Sequence, residues 1–251
     1  MFSRYTYIVS GLYIVGTPIG NLGDITYRAL ETFRTADIIA AEDTRHTLQL
    51  LTHFGIQKPL VSCRAQNEKE AAQKIVRLLD EGKSVAFASD AGTPGISDPG
   101  AVLTDIVRAA GHDVVPIPGV SAFAALTSVA GCGGKTLVFE GFLPQKSGKR
   151  KSRIKELLET GWAFVLYESP FRIVKLLSDI ADIEYERRVV VGRELTKLHE
   201  EIVEGPAAQV REEFAGRTKI QGEFTVFVAG KKLKFSKGES DIKREANEND
   251  Y

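Results

Sequence analysis

The 251 residues carry Lys+Arg 33 against Asp+Glu 33, and 43% of them are hydrophobic. That composition excludes a disordered chain, a collagen and a small disulfide scaffold. At roughly 150 residues per domain it allows one large domain or two small ones. A formal net charge of +0 excludes nucleic-acid binding by bulk charge, so any such role has to rest on a local patch.

Residues 1–11 hold a single Arg and a short apolar run without a signal-peptide cleavage site, and read as an extension before the first strand. Short apolar runs then alternate with helical patterns. The runs are 12–15, 37–41, 60–63, 84–89, 113–117, 136–142, 162–168, 188–193 and 224–229. They are rich in Val, Ile and Phe, and several lack the period-two alternation of a half-exposed strand, as strands buried on both faces do. Between them, Asn67 with Glu70 reads as a capping box, and Gly82 closes that helix. Asp98-Pro99 reads as an N-cap followed by proline at the first helical position. Ser121 opens a small-residue helix that stops at Gly131. This alternation predicts an α/β fold with largely parallel sheets. The prolines and glycine of residues 116–120 divide it into an N-terminal α/β domain, 1–117, and a C-terminal α/β domain, 118–230. Residues 231–251 form a charged tail that reads as mobile.

In open α/β sheets, ligands bind at the carboxyl ends of strands. Three Gly/Pro-rich segments fall there: residues 16–21, 89–100 and 118–122. Glycine lets a backbone approach a ligand closely, and proline fixes the loop. Each alone is equally a turn, but residues 89–100 are long for a βα connection of about 2–6 residues. Asp90 in that loop suits ribose hydroxyls or an ammonium. No G-x-G-x-x-G follows the first strand. Residues 133–136 resemble a P-loop ending but run from helix to strand, so they are rejected.

Polar groups end further strands. Residues 41–45 either orient a substrate or cap a helix, with Asp43 as cap and Arg45 solvated. Glu168 and Arg193 close two later strands, where an unpaired charge belongs at a mouth rather than in a core. Residues 146–155 carry six cations and no acid. They are either a solvated helix start or a phosphate footprint, and cations at a helix N-terminus oppose its dipole. Cys63 and Cys132 lack CxxC spacing, and the four histidines form no ligand motif, so no metal is expected. No apolar run approaches the ~20 residues of a membrane span. A reduced, cytoplasmic protein is the default.

Five segments, LYIVGTPIGNLGDIT (12–26), AEDTR (41–45), SDAGTPGISDPG (89–100), YESPFR (167–172) and GEFT (222–225), together resemble the small-subunit ribosomal RNA methyltransferase I family of the tetrapyrrole methylase superfamily. The resemblance spans roughly residues 12–230. It implies two α/β domains with S-adenosylmethionine in the cleft between them. It implies 2′-O-methylation of a cytidine ribose in the decoding region of small-subunit (16S) ribosomal RNA, by a homodimer acting on that RNA or on the 30S subunit. Cofactor contacts would come from Pro18, from Asp90, Ala91, Gly92, Thr93 and Ile96, from Ser121 and Ala122, and from Tyr167. Asp43 or Glu168 would accept the proton, with Arg45 and Arg193 orienting phosphate or oxyanion. Lys146, Lys149, Arg150, Lys151 and Arg153 would contact RNA phosphates. A tetrapyrrole-precursor or diphthamide-pathway methyltransferase of the same fold is the nearest alternative, and a non-catalytic ribosome-binding cofactor sensor is another.

Overall fold

A computed structural model describes residues 9–131 and 134–231. Most of the N-terminal extension, Cys132, Gly133 and all but the first residue of the charged tail lie outside the described residues.

The first sheet holds β1 (Gly11–Val15), β2 (Ile38–Ala41), β3 (Leu60–Ser62), β4 (Ser84–Ala88) and β5 (Val114–Ile117) in the order β3-β2-β4-β1-β5. Every pairing in it is parallel. Its helices are α1 (Tyr27–Thr35), α2 (Thr44–His53), α3 (Glu68–Asp80) and α4 (Ala101–Ala109). Successive strand residues serve opposite faces. Leu12, Val85 and Phe87 bury against Ala72, Ile75, Leu103 and Val107 of α3 and α4. Tyr13, Val15, Ala86 and Ala88 bury against Ala29, Phe33 and Leu51 of α1 and α2. Helices on both faces explain why these strands show no polar alternation.

The second sheet holds β6 (Leu137–Phe142), β7 (Ala163–Glu168), β8 (Arg188–Arg193), β9 (Glu201–Pro206) and β10 (Phe224–Val228), ordered β6-β7-β10-β8-β9. Here the expectation of a largely parallel sheet is corrected. Only β6 and β7 pair in parallel, while β10 runs antiparallel to both β7 and β8, and β9 antiparallel to β8. Strand β9 was not expected. Its charged Glu201 and Glu204 sit on a half-exposed sheet edge, where polar residues discourage further pairing. Helices α6 (Ser147–Glu159), α7 (Ile173–Ile183) and α8 (Ala207–Ala215) cover one face. Helix α5 (Ala122–Ala130) covers the other, through Leu126 and Ala130 against Val165, Val190 and Phe227.

The helix starts differ from expectation in a way that matters for the site. Asn67 does not cap α3 with its side chain; its Oδ1 accepts from the Arg64 N–H, 2.8 Å away. Helix α4 begins at Ala101 rather than at Pro99, with Gly100 as N-cap. The first-turn donors of α4 are met by Glu68 of α3, which accepts from Gly100 N at 2.8 Å and Leu103 N at 3.0 Å. Because Glu68 supplies that cap, Asp98 is released from it.

The Glu68 cap is buried, so truncation leaves two amide donors without water or partner. Glu68→Ala should therefore lower stability by roughly 1–3 kcal/mol, the cost of an unsatisfied buried polar group. Glu68→Gln, which keeps an acceptor oxygen, should lose less. A urea midpoint that falls at constant slope checks this, and equal midpoints for wild type and Glu68→Ala would reject it.

Candidate active site

The carboxyl ends of β1, β4 and β5 carry the three Gly/Pro-rich loops, and the structure knits them together. Thr17 N donates to Gly92 O at 2.8 Å, and Gly92 N returns a bond to Thr17 O at 3.1 Å. The Thr93 hydroxyl donates to Val120 O at 3.0 Å. Gly16 and Gly119 meet backbone to backbone: a Cβ on Gly119 would fall 2.6 Å from the carbonyl carbon and oxygen of Gly16. Gly92 has φ +78, a left-handed conformation that side chains other than glycine's disfavour.

The joined loops form one wall of a cavity of about 390 Å³, within the size range of small-molecule sites. The second sheet forms the other wall. Its β6 and β7 end at Phe142 and Glu168, and β10 starts beside them because it runs the opposite way, placing Phe224 level with Glu168 on one side and Arg193 on the other. A bulge in β6 at Gly141, φ +71, brings that strand to Ser97 of the opposite wall. Leu195, between Glu194 (φ 51) and Thr196 (φ 68), adds an apolar contact from the loop after β8.

Of the residues singled out from the sequence, Asp90, Ala91, Gly92, Thr93, Ile96, Ser121, Ala122, Tyr167 and Glu168 line this one cavity. Pro18 is buried beside it, between Thr17, which bonds Gly92, and Ile19, which lines it. Ser121 does not cap α5 with its hydroxyl; it bonds the Tyr167 phenol, which also accepts from Phe123 N at 3.1 Å. Burial first, and the charge of Asp98, raise the Tyr167 phenol above its ordinary value despite those bonds. Edge contacts with Phe139 and Phe142 fix its ring.

Asp43, Arg45 and Arg193 are not among the lining residues. Asp43 caps α2 and holds Arg45 through both oxygens, at 3.1 and 2.7 Å. Those bonds and the Arg45 charge press its carboxyl far below the ordinary range, so in this arrangement it is a poor proton acceptor. Arg193 donates to Gln221 O at 2.6 Å and faces Glu201 at 3.4 Å. Glu168 is different. It is 3% exposed and accepts from Ser169 N at 2.8 Å. Arg172 Nη2 lies 3.1 Å from Oε2, an ion pair without hydrogen-bond geometry, and Oε2 itself is buried.

The basic run needs correction at Arg150. Its side chain is buried, donates to Asp179 at 2.6 Å and to Gln145 O at 3.0 Å, and pins α6 to α7. It cannot reach phosphate without stranding Asp179, a loss of about 3–5 kcal/mol. Lys151 pairs with Asp182 and Arg153 with Glu140 and Glu156. Lys146, Lys149 and Lys155 remain exposed, with no ion-pair partner among the described residues.

The cavity is also lined by Glu42, one of the polar groups of residues 41–45, and by Ile19, Asp98, Phe142, Leu195 and Glu223, which the sequence did not single out for it. Three of them are acids. With Asp90 and Glu168, they give the cavity five carboxylates and no lining Lys or Arg. Glu42 accepts from Asp90 N at 3.2 Å. Desolvation, then the neighbouring Asp90, Asp98 and Asp43 charges, raise the Glu42 carboxyl above its ordinary value. Desolvation, Asp90 and Glu223 raise Asp98 likewise. Such a hollow attracts a cation and repels phosphate. Burial pushes the Cys63 thiol up to about 12, which leaves it inert.

A family model described as Tetrapyrrole (Corrin/Porphyrin) Methylases matches residues 11–211. A protein named ribosomal RNA small subunit methyltransferase I from Borrelia garinii subsp. bavariensis is 46% identical over 219 residues, covering 87% of this chain and 98% of that protein. Its namesake from Thermotoga maritima is 45% identical over 220 residues, covering 88% and 98%. That from Pseudomonas aeruginosa is 44% identical over 237 residues, covering 94% and 83%. Among solved structures, cobalt precorrin-4 methyltransferase CbiF aligns with a TM-score of 0.63 at 16% identity, covering 88% of this chain and 95% of that one. The methyltransferase CobJ aligns at 0.66 and 18%, covering 88% and 94%. These two likenesses show the fold alone.

The raised Asp98 carboxyl sets a pH test. A carboxyl raised in the fold is less willing to ionise there than in the unfolded chain. The penalty is therefore fully present above its folded value and absent below the unfolded one. Asp98→Asn without ligand should melt above wild type at neutral pH, and the gap should close as pH falls through the carboxylate range. A gap that persists in acid, or a neutral-pH variant that melts lower, would count against the crowded-carboxylate account.

Proposed function

The chain belongs to the tetrapyrrole methylase family, among the proteins named ribosomal RNA small subunit methyltransferase I, and on that premise we propose that it methylates small-subunit ribosomal RNA with S-adenosylmethionine as donor. In finer terms the acceptor is the ribose 2′-hydroxyl of a cytidine in the decoding region. The observation that carries the reading is the cavity of five carboxylates between two sets of strand tips. A sulfonium bearing an ammonium group is the charge type such a hollow accepts, and residues 90–93 line it.

S-adenosylmethionine, when bound, supplies an electrophilic methyl group on sulfur. The chain supplies position and a proton acceptor. Asp90, Ala91, Gly92, Thr93 and Ile96 form the first wall with Ser121 and Ala122, and Tyr167 forms the facing aromatic wall, with Pro18 supporting the loop after β1. In-line displacement at carbon makes holding the reactants in register the main task. A 2′-hydroxyl is a weak acid, so a base within reach helps. Glu168 takes that role over Asp43, because Glu168 lines the cavity and Asp43 does not. Arg172 holds Glu168 in place through their ion pair. Arg45 and Arg193, outside the hollow, are left to orient the RNA. The cleft lies between two lobes, residues 1–117 and 118–230, with a homodimer as the assembly and the cytoplasm as the compartment. No described helix is long and apolar enough to cross a membrane.

The reading is tested with isolated small ribosomal subunits and radiolabelled S-adenosylmethionine. The wild type should label the RNA at one ribose, lost from RNA of cells lacking the chain. Gly92→Val, strained at φ +78, should abolish cofactor binding in calorimetry. Glu168→Gln should bind cofactor normally and lower the transfer rate by about 10²–10⁴-fold, the usual contribution of a general base. Transfer to a tetrapyrrole precursor or a protein in place of RNA, or cofactor binding without turnover, would overturn the assignment.

A further inference from the structure

The loop between β7 and α7 holds a phenylalanine in solvent by construction. Phe171 is 87% exposed. Before it, Ser169 N donates to Glu168, and Pro170 lines the cavity. After it, Arg172 N donates to Ser169 O at 3.1 Å, and Arg172 Nη2 donates to Leu143 O at 2.9 Å. With both flanks pinned, the ring has no route into the core, although burying it would be favourable by about 1.5–3 kcal/mol. The Arg172–Leu143 bond also ties this loop to the one after β6. There Phe142, 59% exposed, borders the cavity against Tyr167. A few residues further, Lys146 and Lys149 stand exposed at the start of α6, with no ion-pair partner among the described residues, where the helix dipole disfavours cations.

We propose that Phe142 and Phe171 are a stacking platform for unpaired bases beside the target nucleotide, with Lys146 and Lys149 holding the adjoining phosphates. This rests on the RNA-methylating reading above. Charge decides the occupant. The carboxylate-lined hollow repels a phosphate chain, so the backbone has to pass outside it, and the exposed Lys146 and Lys149 follow cavity-lining Phe142 closely in the chain. Aromatic faces interleaved with cations are how single-stranded RNA is held. The platform specifies position rather than sequence, since every base offers a π face. It is a positioning element and touches no reacting atom.

The test uses the full chain and a fluorescein-labelled single-stranded oligocytidine RNA, with binding followed by anisotropy over a salt series. Phe171→Ala and Phe142→Ala should each weaken binding by roughly 5- to 100-fold. The log–log salt slope should not change, because a neutral ring releases no counterions. Lys146→Gln with Lys149→Gln should flatten that slope by roughly 1.4, two single-strand contacts' worth. Phe171→Tyr should bind near wild type, and Phe171→Leu, apolar without a π face, should stay weak. Wild-type affinity in Phe171→Ala or Phe171→Leu would overturn the platform. So would a changed sedimenting mass in Phe171→Ala with unaltered RNA affinity, which would identify the rings as a contact between copies of this chain. Methyl transfer by wild type to small subunits, run alongside, separates the two failures. Transfer present with no effect of the ring variants rejects the platform alone, and transfer absent rejects both.

Discussion

Two glycines, Gly16 and Gly119, pass within backbone contact at the carboxyl ends of β1 and β5, and no other residue type fits at either position without moving a main chain. Much of the cavity depends on that approach. It brings the loop after β1 against the loop after β5, and the Thr17–Gly92 and Thr93–Val120 bonds then draw in the loop after β4. Peptide groups are thereby fixed along one wall before any ligand arrives, and little ordering cost remains at binding. The opposite wall is set differently, by strand direction. Reversing β10 puts its first residues, rather than its last, beside the tip of β7. Thus Glu223, Phe224 and Thr225 reach the hollow from a strand that would otherwise point away.

Charge is sorted by depth. Acids line the hollow, whereas Lys146 and Lys149 at the start of α6 lie outside its lining and have no ion-pair partner among the described residues. On the proposed reading, a sulfonium donor and a polyanionic acceptor need opposite environments, which a chain of zero net charge offers only by segregation. Composition reports only the sum, so it conceals this arrangement.

The sheets were largely legible in the sequence because their strands are short Val-, Ile- and Phe-rich runs with helices on both faces. Strand β9 was not, since Glu201 and Glu204 break its apolar pattern and its edge position leaves it half exposed. The Gly/Pro loops announced one wall of the cavity, because a tight turn and a close approach leave that signature. Asp98 did not announce itself. A residue of its type before proline looks like a cap, and only the tertiary contact from Glu68 shows that the cap is supplied from another helix. Arg150 was hidden for the opposite reason. Inside a basic run nothing local distinguishes a buried ion-paired arginine from its solvated neighbours, and its partner Asp179 lies on α7.

The crowded carboxylates also bear on why the site is built where it is. Glu42 and Asp98 ionise less readily than ordinary acids because each is partly desolvated and faces others. Like charges therefore crowd the hollow, and a cation placed among them would favour their ionisation. Ligand binding and folding are then linked through the same charges, and stabilisation grows with ligand concentration over its dissociation constant. A hollow of this kind discriminates between a cationic donor and its neutral product. Once the methyl group leaves, the sulfur is no longer positive, and part of the attraction that held it is gone. On the proposed reading, product release is favoured by the charge distribution that captures the donor.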